Sequence, residues 1–468
     1  MKNHFRKLQS KTYLRPTGRL AKEKIEVSQL KKQASWTLIS SIIAAVLQIL
    51  QMMTLARLVS VEDIGLLAIA NIAITLVLVF QDMGLSNYLI HRQQTTASEN
   101  TALLCVSAFI GISLTTALLL IAPYISQFYT QPKLTQLLYI SAINFTLIGI
   151  CSLYQADMIR NFKQVSLAKI EIIARISSFV FVILYLFLYE KSIIAVIYGS
   201  IINTIIKLII VTNIKDNNFK FSTTPSWSII APACKFGIYQ VGSQVINQLR
   251  TQADQIILGK LLGLEILGFY SIAKELIMKP IYFIAPLVSR LILPRFASSQ
   301  QDDSETSLLH IRTTKILSWS NCLIYGIISL LAYPIIIILY GARYIQSAPL
   351  LAVLGLFGMI RPLGGVFAAL AQSRGRSDIE LGWNLIAGFV MTLAILFSAM
   401  SNNVLTVAIT LSLIQVILTI LSSFYFSNTL NLEIRRIFIK TIANPLLVSI
   451  SITVLATLLS INLTTPAN

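Results

Sequence analysis

The feature that most constrains this chain is a succession of apolar runs, each long enough to cross a bilayer. Thirteen of them, separated by polar turns, fall near 34–59, 64–90, 100–123, 135–159, 166–189, 192–213, 234–261, 264–294, 313–339, 346–373, 378–399, 403–427 and 439–461. A hydrocarbon core of about 30 Å takes about 20 apolar residues as a helix. Membrane strands would instead show as alternating segments of about ten residues, and runs such as Val180–Leu188 do not alternate. The chain therefore reads as an all-α polytopic membrane protein. Charge agrees: Asp, Glu, Lys and Arg make up only 12% of the 468 residues, about half the share in soluble domains. That excludes a soluble enzyme, a disordered chain and a collagen-like chain.

The loops alternate in charge. With residues 1–33 placed in the cytoplasm, twenty-five Lys and Arg fall on the cytoplasmic side, ten of them in this N-terminal arm. The opposite side carries four, Lys133, Lys191, Lys260 and Arg343, and the other eight lie inside runs. Basic residues collect on the cytoplasmic side of membrane proteins, so the split sets the orientation and supports the number of runs. The arm is too long and polar for a signal peptide; it reads first as an orientation signal, and otherwise as a disordered or interfacial tail that touches anionic lipid. The formal charge of +18 is read as this topology signal. Nucleic-acid binding is set aside because the basic residues are not gathered on a soluble domain.

The chain also repeats itself. Arg57–Ala70 reads RLVSVEDIGLLAIA and Lys260–Ala273 reads KLLGLEILGFYSIA. At an offset of 203 residues, Leu58/Leu261, Glu62/Glu265, Gly65/Gly268, Ile69/Ile272 and Ala70/Ala273 coincide. Each stretch reads as a tight turn between two spans, with the glycine letting the backbone turn closely. Spans one to six and seven to twelve are then two copies of one unit in the same orientation. The expected division is an arm (1–33), an N-lobe (34–214), a cytoplasmic linker (215–233), a C-lobe (234–428) and an extra C-terminal span (429–468). Two such lobes are expected to be related by a pseudo-two-fold axis along the membrane normal, which suits alternating access about a central cleft.

The same offset predicts which faces line that cleft. Thr37, Ser41, Ala44, Gln48 and Gln51 follow helical spacing in the first span, and adding 203 gives Gln240, Gln244, Asn247, Thr251 and Asp254 in the seventh. Each set forms one narrow stripe on a helix. Inside the runs lie Arg57, Arg175, Lys207, Arg250, Lys274, Lys279, Arg290 and Arg361, against Asp82, Glu171, Asp254 and Glu275, a surplus of four positive charges. Such charges face a wet cavity or a partner. Glu171/Arg175, Arg250/Asp254 and Glu275/Lys279 are spaced to pair along a helix face. Arg361, followed by Pro362, Gly364 and Gly365, reads as lying at a broken helix that lines a cavity.

The surplus favours a phosphate-bearing substrate, since guanidinium binds phosphate through paired donors. The candidate anion-binding residues are Arg250, Arg361, Lys279, Arg175 and Lys274. Gln48, Gln51, Gln240, Gln244, Asn247 and Thr251 would face the polar remainder of the cargo, and Asp82, Glu171 and Asp254 are candidate ion couplers. Cys105, Cys151, Cys234 and Cys322 lie far apart and read as small buried hydrophobes. No phosphate-binding loop or His-rich motif stands in the sequence, so no cofactor, metal or catalytic residue is expected.

Three stretches then carry a resemblance: Leu55–Gly65 (LARLVSVEDIG), Phe80–Arg92 (FQDMGLSNYLIHR), and Asp254–Gly263 (DQIILGKLLG) with the following LGFY. They are similar to the polysaccharide transporters, the O-antigen and exopolysaccharide flippases of the multidrug/oligosaccharidyl-lipid/polysaccharide exporter superfamily. The resemblance implies two six-helix lobes around a cationic cavity. It also implies movement of an undecaprenyl-diphosphate-linked oligosaccharide from the inner to the outer leaflet of the bacterial cytoplasmic membrane. A polysaccharide polymerase and glycosyltransferases would be working neighbours, and the transporter itself is expected to be a monomer. Two rivals are weaker. A drug/cation antiporter of the same superfamily needs acids facing the N-lobe cavity, and the first span has none. A membrane-embedded polymerase or glycosyltransferase needs a sizeable outward loop with carboxylates, and the longest, Pro123–Leu134, has none.

Overall fold

The computed structural model describes residues 16–81, 83–92, 95–213, 222, 224, 226–227, 230–287, 292–299, 302–430, 432 and 434–464. Among these residues every regular element is a helix, as lipid demands of backbones that must satisfy their own hydrogen bonds. The first half contains α1 (Pro16–Leu58), α2 (Val61–Leu78), α3 (Leu85–His91), α4 (Ala97–Tyr129), α5 (Pro132–Arg160), α6 (Gln164–Leu188) and α7 (Ile194–Asn213). The second contains α8 (Ile230–Leu261), α9 (Leu264–Leu287), α10 (Leu293–Ser298), α11 (Asp303–Leu330), α12 (Ala332–Tyr340), α13 (Ser347–Ser373), α14 (Ser377–Ala399) and α15 (Val404–Leu430). A last helix, α16 (Arg435–Thr464), follows.

Among the described residues, each of the thirteen apolar runs is carried by helix. Ten helices among these residues are long and apolar enough to cross a membrane, and α11 with α12, bent by 65° at Leu331, makes an eleventh candidate. The exceptions are α8 and α9, whose length suffices but whose interior carries Arg250, Asp254, Lys274, Glu275 and Lys279. Three local expectations change. Residues 16–33 of the expected arm are the first turns of α1. The second run is two helices, because the chain leaves α2 at Leu78 and passes through left-handed Met83 and Gly84 before α3. And α13 runs unbroken through Pro362, Gly364 and Gly365. One turn before the proline, Gly358 lets the Tyr325 ring approach: a Cβ there would overlap Tyr325 Cε1.

The contacts of the first half recur in the second. In the first, α1 packs on α6, α4 on α5, α5 on α7, and α6 on α7; in the second, α8 packs on α14, α11 on α13, α13 on α15, and α14 on α15. Where the halves meet, α2 lies along α9. A Cβ on Gly65 would overlap the carbonyl of Leu264, and a Cβ on Gly268 would overlap the carbonyl of Val61. Leu264 and Gly268 are Val61 and Gly65 displaced by the same 203 residues. The contact is therefore reciprocal, as two-fold symmetry requires of a self-complementary surface. The repeated glycine serves this backbone approach inside the helix, not the turn before it.

The same end carries a second reciprocal contact. Arg57 donates from Nη2 to the Ile338 carbonyl of the other half at 2.5 Å, and its counterpart Lys260 donates to the Phe128 carbonyl at 2.5 Å. Arg57, one of the charges counted inside the apolar runs, thus ties the halves together. This end, where the α1–α2 and α8–α9 turns lie, is called the far end below; α1 begins at the near end.

Around this frame the bundle divides its apolar surface. α13 is almost wholly buried, while Phe109, Leu120, Phe187, Phe389 and Phe397 on α4, α6 and α14 are exposed, as lipid-facing side chains are. α16 packs on α11 and α13 and brings Phe438 into an aromatic cage with Phe296 and Phe367 around buried His310. Cys151 and Cys322 are buried as expected, whereas Cys105 is exposed; the side chain of Cys234 lies outside the described residues.

Candidate substrate-binding site

The α8–α9 hairpin is the core of the site. Folding the chain back at Leu262–Gly263 sets the second half of α8 beside the first half of α9, and the polar residues meet there. Asp254 is buried and accepts from Lys274 Nζ on Oδ1 at 2.6 Å and from Tyr270 Oη on Oδ2 at 2.5 Å. Lys274, equally buried, also donates to the Thr251 carbonyl at 2.8 Å. This corrects one expected pairing: Asp254 takes Lys274 from the facing helix and leaves Arg250 to other company. The expected Glu275/Lys279 pair does form, at 2.8 Å. Glu171 and Arg175 share a helix without closing to an ion pair.

The guanidinium groups converge on one turn of α8. Arg361 reaches from mid-α13, donating from Nη2 to Thr251 Oγ1 at 3.1 Å and lying 5.3 Å over the Phe357 ring. Thr251 passes its own proton to the Asn247 carbonyl at 2.7 Å, so its oxygen is free to accept. Arg250 donates to the Asn247 side chain at 3.2 Å, while its Nε is buried without a hydrogen-bond partner among the described residues. Its aliphatic stem packs on Gly388 of α14, where a Cβ would stand 3.4 Å from Cγ and Cδ.

Four cations (Arg250, Lys274, Lys279, Arg361) thus share this region with two acids (Asp254, Glu275). Both acids are paired with lysines, Asp254 with Lys274 and Glu275 with Lys279, while Arg250 and Arg361 lie close enough to repel each other and Arg250 also feels the charge of Glu380 on α14. The group is fixed from behind by Tyr325 of α11, which donates to the Ile277 carbonyl at 3.2 Å, and by Asn321, which donates to the Met359 carbonyl at 3.1 Å.

The first half contributes one group. Gln48 of α1 donates to Glu275 Oε1 at 3.4 Å, so the expected amide stripe touches the charged network across the lobes. Gln48, Gln244 and Asn247 are exposed, and Gln51 and Thr251 are half-buried. The side chain of Gln240, and all of Asp82, lie outside the described residues. Arg175 stands apart on α6 with Glu171. Glu171 lines a separate cleft beside α1. Sequence spacing missed Tyr270, Phe357 and Tyr325. Tyr270 and Phe357 were within reach of helical spacing, because Tyr270 lies one turn before Lys274 on α9, and Phe357 one turn before Arg361 on α13.

The sequence profile of the family described as "Polysaccharide biosynthesis protein" matches residues 54–349. The chain is 34% identical to the amylovoran biosynthesis protein AmsL of Erwinia amylovora over 342 residues, which cover 73% of this chain and 88% of AmsL. The chain belongs to this polysaccharide biosynthesis protein family. It is also 24% identical to the teichuronic acid biosynthesis protein TuaB of Bacillus subtilis (strain 168), over 92% of this chain and 88% of TuaB. Among solved structures, the inward closed conformation of the lipid II flippase MurJ superposes with a TM-score of 0.68 at 14% identity, covering 92% of this chain and 98% of that one. The fold is therefore the two-lobe architecture that the sequence resemblance implies, and the chain is a multi-pass membrane protein.

Proposed function

We propose that the chain is a flippase. It carries an undecaprenyl-diphosphate-linked oligosaccharide from the inner to the outer leaflet of the bacterial cytoplasmic membrane, for assembly of a surface polysaccharide. It is a membrane transporter and not an enzyme. The reading rests on one observation above all: two guanidinium groups, Arg250 and Arg361, gather on a single turn of α8, donating to Asn247 and Thr251. Two guanidinium groups held side by side inside a membrane repel each other and are costly there, and a diphosphate draws them together through paired acceptors.

In this reading Arg250 and Arg361 bind the diphosphate, with Lys279 at the edge. Lys274 is committed to Asp254 and holds α8 against α9. Gln48, Gln51, Gln244, Asn247 and Thr251 face the sugar, and the polyprenyl tail remains in lipid. The near end faces the cytoplasm, which keeps the basic ends of the helices on that side. The protein acts as a monomer beside a polymerase and glycosyltransferases. A cation antiporter would need the opposite sign of charge at this site.

The test is complementation of a deletion strain. Arg361→Ala and Arg250→Ala should each abolish export of the polysaccharide at unchanged protein level, with lipid-linked glycan accumulating on the inner leaflet. Wild-type export by both variants would overturn the assignment.

A further inference from the structure

A second polar pocket lies away from the arginines. It is a cleft of about 440 Å³ at the near end of the first half, between α1, the end of α5 and the first turns of α6. That is the size range of small-molecule pockets, roughly 300–1,000 Å³. Thr37, Ser40, Gln164 and Glu171 supply its polar lining, and Ile159 and Leu167 part of its apolar wall. Beside it, Lys169 Nζ sits 5.3 Å over the Trp36 ring and ties α6 to α1.

The hydrogen-bonding inventory of this lining is lopsided. Thr37 donates its hydroxyl proton to the Gln33 carbonyl at 2.9 Å, and Ser40 donates to the Thr37 carbonyl at 3.0 Å. Both oxygens therefore face the cleft as acceptors. Glu171 is an acceptor only, and neither its carboxylate nor the Gln164 amide has a hydrogen-bond partner among the described residues. Three acceptors and one amide select a ligand rich in donors. The carboxylate repels phosphate, so the cleft does not duplicate the arginine site. Its apolar wall suits the C–H faces of a sugar ring, and its acceptors suit hydroxyl or amino substituents.

Position fits the same cargo. Thr37 precedes Gln48 by eleven residues of α1, about 16 Å at 1.5 Å per residue. Gln48 in turn touches the charged network through Glu275. A short oligosaccharide attached to a diphosphate held by Arg250 and Arg361 spans that distance toward the near end. Building on the proposed flippase function, we propose that this cleft is the subsite for the distal sugars of the cargo. There Glu171 and Gln164 read neutral or amino-sugar hydroxyls and disfavour uronic acids.

The experiment measures binding of two ligands to purified protein in detergent: undecaprenyl diphosphate alone, and undecaprenyl-diphosphate-linked oligosaccharide isolated from cells that lack this transporter. Hydrogen bonds to a charged group contribute about 1.5–3 kcal/mol, so Glu171→Gln should weaken binding of the glycosylated lipid about tenfold or more. Gln164→Ala should weaken it by less. Neither should change binding of undecaprenyl diphosphate, which also shows that the variants are folded. An equal loss for both ligands, or no loss for the glycosylated one, would overturn the subsite. So would a Glu171→Gln variant that binds both normally and changes only the pH dependence of transport, since Glu171 would then be an ion coupler. Arg361→Ala should weaken both ligands. If it weakens neither, the flippase site fails independently of the cleft.

Discussion

The α1–α2 hairpin and the α8–α9 hairpin are the same object built twice, and they differ in what they carry. At the far end they are interchangeable: Gly65 and Gly268 trade backbone contacts, and Arg57 and Lys260 each cap a carbonyl of the opposite half. One or two turns further in, the likeness ends. Where the second hairpin has Asp254, Lys274 and Tyr270, the first has Gln51, Asn71 and Leu67 at the corresponding places. Where the second has Arg250, the first has Leu47. The scaffold was duplicated, and charge was kept in one copy.

The difference separates two jobs. A symmetric contact of bare backbone can close and reopen without losing side-chain packing, which suits the end that must seal when the lobes rock together. A headgroup with one diphosphate needs one cationic site, and symmetric charge would add a second desolvation cost for no partner. The amides left in the first hairpin remain polar enough for sugar hydroxyls.

The comparison breaks most sharply at the buried pair. Lys274→Met leaves Asp254 uncompensated and should cost about 3–5 kcal/mol of stability, read as a large fall in thermal midpoint and in yield from the membrane. Asn71→Met, its counterpart, should change the midpoint little, and Asp254→Asn combined with Lys274→Met should recover most of the loss. A comparable loss from Asn71→Met would show that the two hairpins are not specialised as described.

Next in size is the glycine contact. Gly65→Ala and Gly268→Ala each force a Cβ onto a carbonyl of the other half, an overpacking of about 1–3 kcal/mol. Both should reduce export to a similar degree and open the far end to cysteine-labelling reagents placed near Phe128 or Ile338. Gly242→Ala, where nothing lies within 4 Å, should export normally. Unequal effects of the first two would argue against a symmetric seal.

The smallest effects lie at the helix starts. Ser60 caps α2 by accepting from the Asp63 amide at 3.1 Å, whereas its counterpart Gly263 turns with a φ of +91°. Ser60→Ala should cost about 1 kcal/mol through the lost cap. Gly263→Ala should cost about 1–2 kcal/mol through the left-handed backbone. Thermal unfolding in detergent resolves both, and exchanging the two (Ser60→Gly, Gly263→Ser) should give a smaller loss at 60 than at 263.

Much of this was legible in the residues alone. Long apolar runs had one outcome in lipid, and five identities at one offset were enough to announce the duplication. Of the amide stripe of α1, Gln48 reaches the charged network through Glu275. What spacing could not give was pairing between helices. Arg250 and Asp254 are one turn apart and looked like partners, but the hairpin brings Lys274 closer to Asp254. Pro362 with its glycines suggested a broken helix because a proline disfavours helix continuation, yet α13 continues through it, buried among its neighbours on nearly every side. The cleft around Glu171 was invisible because its lining comes from three helices, and only Thr37 and Glu171 had stood out individually.

The claim on which the rest depends is that the diphosphate sits on the second half alone. A cryo-electron microscopy map of the protein in a lipid nanodisc with undecaprenyl diphosphate measures this directly. The account predicts diphosphate density between Arg250 and Arg361, in hydrogen-bond contact with both. Density beside Arg175 and Lys207, or on the axis between Gln48 and Thr251 with both arginines turned away, would contradict it.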